Sequence, residues 1–219
     1  MFEIVAVTNR LLCAGDFTER LDAVAAAGVS AVILREKDLS AVDYEALFLR
    51  ALAVCARRGT PLIAHGFAEV ARRAGCGLHL PFAALEAAEA DAAPATGAED
   101  RAARNATVGA LPRGVRTGVS VHAAEEARRA AQCGAAYVVA GHIFPTESKA
   151  GRAPRGLRFL SEICAALSVP VYAIGGVSEQ NIAEIKRAGA AGACLMSSFM
   201  TCADPAAYAE ALRRALAGY

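Results

Sequence analysis

A chain of 219 residues that is 55% apolar and 21% charged is long enough to bury one sizeable core and polar enough to stay in water. Its formal net charge of +1 leaves no basic excess to hold nucleic acid or an anionic membrane surface. The apolar runs are short and interrupted, well below the roughly 20 residues that span a bilayer.

The opening "MFEIVAVTNR" has no basic leader and no small-residue cleavage site, so it reads as a first β-strand and predicts a cytoplasmic protein. From there one unit recurs: a short apolar run, a turn, then an Ala-rich amphipathic stretch. Strand Ile4–Val7 leads to helix Thr18–Ala27, Ala31–Leu34 to Ala41–Arg57, and Pro61–Ala64 to Ala68–Ala74. Strand Gly77–Leu80 leads into Glu86–Arg113, which predicts a fourth helix and a long surface loop. The second half runs Val115–Val121 with Ala123–Cys133, Ala136–Ala140 with Leu157–Leu167, Val169–Ile174 with Glu179–Ala188, and Ala193–Met196 with Pro205–Leu216. Ala and Leu favour helix. The triplets "AGV", "AGC", "CGA" and "AGA" put Gly where a helix takes its left-handed cap.

Strands that are apolar on both faces and alternate with helices imply a parallel sheet covered by helices. An open doubly wound sheet competes with a closed barrel. Eight repeats in a chain of this length favour a TIM (β/α)8 barrel over residues 1–219 as a single domain. No Gly-x-Gly-x-x-Gly follows the first strand, so a dinucleotide fold has no support. The seven cysteines, at 13, 55, 76, 133, 164, 194 and 202, form no Cys-x-x-Cys and no zinc spacing. They read as small buried hydrophobes in a reduced compartment.

In such a barrel the chemistry sits at the C-terminal strand ends. Those ends carry Arg35-Glu36-Lys37, His65-Gly66, His79, Ser120 with His122, Gly141-His142, Gly175-Gly176 and Ser197-Ser198. All four histidines fall near one rim. His79, between Leu78 and Leu80, reads as a packed residue. Ser120 and His122, two apart, share one face of the strand. The segment "GHIFPTESKAGRAPRG", 141–156, is a long loop holding Thr146, Ser148, Lys149, Arg152 and Arg155, suited to an anion. "AIGGVSEQN" presents backbone N–H groups at a helix start and "LMSSFM" adds hydroxyls, which together point to a phosphate ester.

These residues resemble the thiamine phosphate synthase and TenI-like superfamily over nearly the whole chain. The matching stretches are "AVILREK", "GVSVHAAEEA", "YVVAGHIFPTESKAG", "PVYAIGGV" and "CLMSS". The resemblance implies a TIM barrel of thiamine biosynthesis acting on a thiazole phosphate. The synthase branch joins a pyrimidine methyl diphosphate to that phosphate and needs Mg²⁺ on carboxylates after strands three and four. Here those positions read His65-Gly66 and Pro81-Phe82-Ala83-Ala84, with no acid before Glu86. Gly66 and Gly141-His142 are closer to the TenI-like pattern.

That branch implies a thiazole tautomerase, an isomerase that needs no metal, nucleotide or redox cofactor. It converts the exocyclic ylidene form of a carboxythiazole phosphate to the aromatic isomer. The resemblance assigns acid/base work to His122, with His142 as a second proton carrier. Arg35, Lys37 and Lys149 face the ligand's anions, while Thr146, Ser148, Gly175, Gly176, Ser197 and Ser198 hold its phosphate. Ser120 contacts the ring or orients His122. His65 and Phe67 depart from both branches, where Asn and often Arg are usual. The alternatives are a synthase using Glu36 or Glu86 as atypical metal ligands, and a non-catalytic phosphate-ligand-binding regulatory relative. An apolar, Ala-rich exterior predicts a homodimer.

Overall fold

The computed structural model describes residues 1–92 and 114–218, and the side chains of 88–92 are not described. The strands are β1 (Glu3–Val7), β2 (Ala31–Leu34), β3 (Leu62–His65), β4 (Gly77–Pro81), β5 (Thr117–Val121), β6 (Tyr137–Gly141), β7 (Val171–Ile174) and β8 (Gly192–Leu195). Each pairs in parallel with the next, and β8 closes on β1 with Glu3 opposite Gly192, giving a closed eight-stranded TIM barrel. The helices are α1 (Phe17–Ala26), α2 (Ala41–Arg57), α3 (Ala68–Ala74), α4 (Phe82–Ala92), α5 (Ala124–Gln132), α6 (Gly156–Ala166), α7 (Ile182–Arg187), α8 (Ser197–Thr201) and α9 (Pro205–Ala217). Part of the predicted fourth helix and its loop, 93–113, lies outside the described residues.

Local chemistry sets the helix ends. The carboxylates of Asp16 and Asp204 and the hydroxyl of Ser40 accept hydrogen bonds from first-turn N–H groups of α1, α9 and α2. α7 is shorter than its periodicity predicts because Asn181 ties residues 176–181 into a turn. Its amide oxygen accepts from Ser178 N–H at 2.9 Å and its amide nitrogen donates to the Gly176 carbonyl at 2.8 Å. β5 starts at Thr117 rather than Val115, since the ladder with β4 begins at the Leu78–Thr117 pair. The short α8 was not anticipated; it takes over at Ser197, directly after β8.

Side-chain parity divides the core in two. Leu78, Leu80, Val119, Val121, Val138 and Ala140 point outward, under the helices. Val5, Val7, Ile33, Tyr137, Val139, Tyr172 and Cys194 fill the barrel interior. Removing a side chain such as Leu78 or Val138 from water stabilises the fold by about 1.5–3 kcal/mol. Two glycines make the interior possible: a Cβ at Gly118 would overlap the Tyr137 ring, and one at Gly192 would meet the Tyr172 ring and the Glu3 carbonyl.

The cysteines are all free thiols; Cys55 and Cys194 are buried and the others partly so. No described helix is long and apolar enough to cross a membrane.

Candidate active site

At the C-terminal mouth of the barrel lies a cavity of about 280 Å³. Lining it are Arg35 and Lys37 after β2, His65 on β3, Ser120 and His122 from β5, His142, Thr146, Ser148 and Lys149 after β6, Gly175 and Gly176 after β7, and Ser197 and Ser198 on α8, whereas Arg152 and Arg155 of the loop after β6 do not line it. A wider opening of about 760 Å³ at the opposite end is walled by side chains such as Leu52, Ile63 and Tyr172 and holds no histidine. Chemistry in this fold belongs to the C-terminal end, and the polar residues gather there.

His122 follows the last residue of β5 and remains solvent-accessible. Its Nδ1 lies 2.6 Å from the Gly141 carbonyl oxygen. A carbonyl only accepts, so Nδ1 carries the hydrogen and Nε2 keeps a lone pair. The His122 backbone N–H donates to Glu126 Oε2 at 2.6 Å, anchoring this junction to the first turn of α5. His142 is buried, and its Nε2 donates to the Arg152 carbonyl at 3.2 Å, leaving Nδ1 as its acceptor. The two imidazoles enter from adjacent strands, each with one nitrogen committed and one open.

Ser120 does not orient His122. Its Oγ lies 2.7 Å from Nε2 of His79, whose Nδ1 lies 3.2 Å from the Tyr137 hydroxyl. His79 is packed as expected, and parity turns it inward, one layer below the cavity, with a partner on each ring nitrogen. Burial pushes it down to about 3, with the charge of His65 contributing. His65, at the end of β3, is held down at about 4 by burial first, then by Arg35 and Lys37. Its backbone N–H donates to the Tyr44 hydroxyl at 2.9 Å. Phe67 does not line the cavity; it stacks on Tyr44 with ring centroids 3.8 Å apart.

The charge of the cavity is one-sided. Arg35, Lys37 and Lys149 line it, and no described carboxylate does. Lys37 is held below its ordinary value, first by partial burial and then by Arg35 and Lys149. Glu36 points elsewhere: it accepts from Thr8 Oγ1 at 2.6 Å and from the Arg10 backbone and guanidinium. Glu86 is exposed and off the cavity. Mg²⁺ requires hard oxygen ligands, and the described donors of this cavity, imidazoles, hydroxyls and cations, do not fit it. They fit an anion.

The anion cradle has a steric cause. Gly175 and Gly176 take positive φ of 95° and 67°, and a Cβ on either would strike His142 or Pro145 and Phe144. The loop after β7 therefore lies against the loop after β6, with Phe144 N–H donating to Gly175 O at 3.0 Å. Across from it, α8 opens with Ser197 and Ser198, and first-turn N–H groups have no intrahelical acceptor. Thr146 and Ser148, 3.3 Å apart between hydroxyls, add further polar contacts. Loops after strands seven and eight with a short extra helix commonly bind phosphate in these barrels.

Comparison with known proteins identifies relatives over nearly the whole chain. A thiamine-phosphate synthase of Roseiflexus sp. (strain RS-1) is 33% identical over 218 residues, covering 98% of this chain and 85% of the relative. A thiamine-phosphate synthase of Syntrophomonas wolfei is 29% identical over 216 residues, 97% of this chain and 95% of the relative. Among solved structures, the thiamine phosphate pyrophosphorylase from Pyrococcus furiosus superposes with a TM-score of 0.75 at 22% identity, covering 99% of this chain and 96% of that one, a likeness of fold. The family model described as thiamine monophosphate synthase matches residues 4–199, and the chain belongs to that family.

Proposed function

We propose that this member is a thiazole tautomerase, which isomerises the ylidene form of a carboxythiazole phosphate to the aromatic thiazole by metal-independent proton transfer. The observation that carries the reading is His122 with Nδ1–H bound to the Gly141 carbonyl and Nε2 left basic, in a cavity lined by three cations and no described carboxylate. The proton leaves the ring carbon bearing the carboxylate and is accepted by Nε2. The C–H electron pair enters the ring, the exocyclic double bond shifts inward, and the exocyclic carbon takes up a proton, so the net charge is unchanged. His142, with Nδ1 open, is the second carrier. Arg35, Lys37 and Lys149 offset the carboxylate and phosphate. Gly175, Gly176, Thr146, Ser148, Ser197 and Ser198 hold the phosphate, and His65 walls the pocket as a neutral imidazole.

The relatives' name favours a second reading, a synthase that joins a pyrimidine methyl diphosphate to a thiazole phosphate. Against it stands the donor set: Glu36 is engaged and Glu86 faces solvent. Purified protein assayed on both substrate sets, with and without Mg²⁺, separates the two. Isomer formation insensitive to chelator is expected; Mg²⁺-dependent thiamine phosphate would replace the first reading with the second. Tight phosphate-ester binding without turnover of either set would indicate a binding protein.

A further inference from the structure

Three residues form a chain that runs from beneath the cavity to its wall and that the proton transfer above does not use. Tyr137, His79 and Ser120 come from β6, β4 and β5, with contacts of 3.2 Å and 2.7 Å. Space for this chain is built in, since only the missing side chain at Gly118 lets the Tyr137 ring enter the barrel. Tyr137 and His79 are buried, while Ser120 lines the cavity.

The direction of each hydrogen follows from satisfying the groups one by one. Among the described residues, the Tyr137 hydroxyl has His79 Nδ1 as its hydrogen-bond partner. Were it to accept from Nδ1, its own buried O–H would be left without an acceptor, whereas donation leaves only a lone pair unpaired, the commoner situation in folded proteins, so Tyr137 donates to Nδ1. The neutral imidazole then carries its hydrogen on Nε2 and donates to Ser120 Oγ. With its oxygen already accepting, Ser120 has its own hydrogen free for the cavity.

We propose that Tyr137 and His79 are positioning residues that fix Ser120 as a hydrogen-bond donor to an acceptor atom of the bound heterocycle. The opposite polarity would make Ser120 an acceptor there and select a different ligand edge. A donor at this point strengthens as negative charge builds on the ring, so it acts on turnover more than on binding. The inference rests on the cavity being the site of isomerisation, but the hydrogen positions do not.

Nitrogen-15 NMR of the His79 ring tests the polarity without substrate. The Nε2–H tautomer is expected in the unmodified protein, with a shift toward the Nδ1–H form in Tyr137→Phe. A protein found in the Nδ1–H form overturns the proposal whatever the reaction is. Kinetics test the consequence. Ser120→Ala should lower isomerisation kcat about tenfold or more with KM changed less than threefold, and Tyr137→Phe should slow the protein severalfold but add nothing in the Ser120→Ala background. Additive losses would assign Tyr137 a merely structural role and reject the coupling. Should Tyr137→Phe unfold, His79→Gln, which keeps an N–H at the Nε2 position, is compared with His79→Leu. Better kcat in His79→Gln supports the proposal, and equal loss in both rejects it. Absence of isomerase activity in the unmodified protein would count against the proposed function, while the NMR result would still decide the tautomer.

Discussion

His122 has one nitrogen bound to a backbone carbonyl and one open, the division that proton transfer requires. Its replacement by Ala is expected to lower isomerisation kcat by about 10²–10⁴-fold, measured by following the aromatic product. The side chain is exposed, so thermal unfolding should barely move. The cations act differently. Lys149→Ala or Arg35→Ala removes a partner of an anionic group, and each should weaken product binding about tenfold or more, from a charge-assisted bond of about 1.5–3 kcal/mol. Calorimetric titration with the carboxythiazole phosphate product checks this. These residues were legible in the sequence because strand ends and period-two alternation are local. Their partners were not. Nothing in "GLHLP" says that His79 reaches Ser120, and Glu36 reads as a free carboxylate until Thr8 and Arg10 are seen to hold it.

At the scale of the element, the loops after β6 and β7 form one unit, because backbone pairing continues past the strands through Ile143 and Phe144. Gly176 sits where that contact leaves no room. Gly176→Ala should destabilise the fold by about 2 kcal/mol or more, from positive φ plus collision, and should raise the KM for phosphate esters. Gly66→Ala is the control: φ is 83°, but a Cβ there meets nothing within 4 Å. It should cost about 1–2 kcal/mol, the strain of a left-handed residue alone. Urea unfolding of both variants gives the comparison. Strand positions were readable to within a residue or two because apolar runs are continuous. α8 was missed since "SSFM" carries a helix of one turn, too short for a periodic signal.

Taken whole, the molecule couples its stability to acid through two of its buried imidazoles, His65 and His79. His65 titrates near 4 and His79 near 3, both below an unfolded histidine at about 6.5. Above pH 6.5 neither state binds the proton, so these groups contribute no pH dependence. As pH falls from 6.5 toward 4, the unfolded chain takes up protons that the folded protein refuses. Stability therefore drops on that range, with a slope approaching about 1.4 kcal/mol per pH unit for each histidine. Urea unfolding between pH 7 and 4.5 should show the fall, and His65→Asn should make it shallower.

Alternating apolar runs and helix-forming stretches are properties of neighbouring residues, and they were sufficient to dictate eight βα units, hence a barrel and the identity of the side chains at its mouth. Which partner each of those side chains finds depends on how the strands pair in space. His79 meets Ser120 and Tyr137 across separations of 41 and 58 residues, and both contacts depend on the strand register. That register aligns strands separated by a helix and its loops, a relation that no local window of sequence contains.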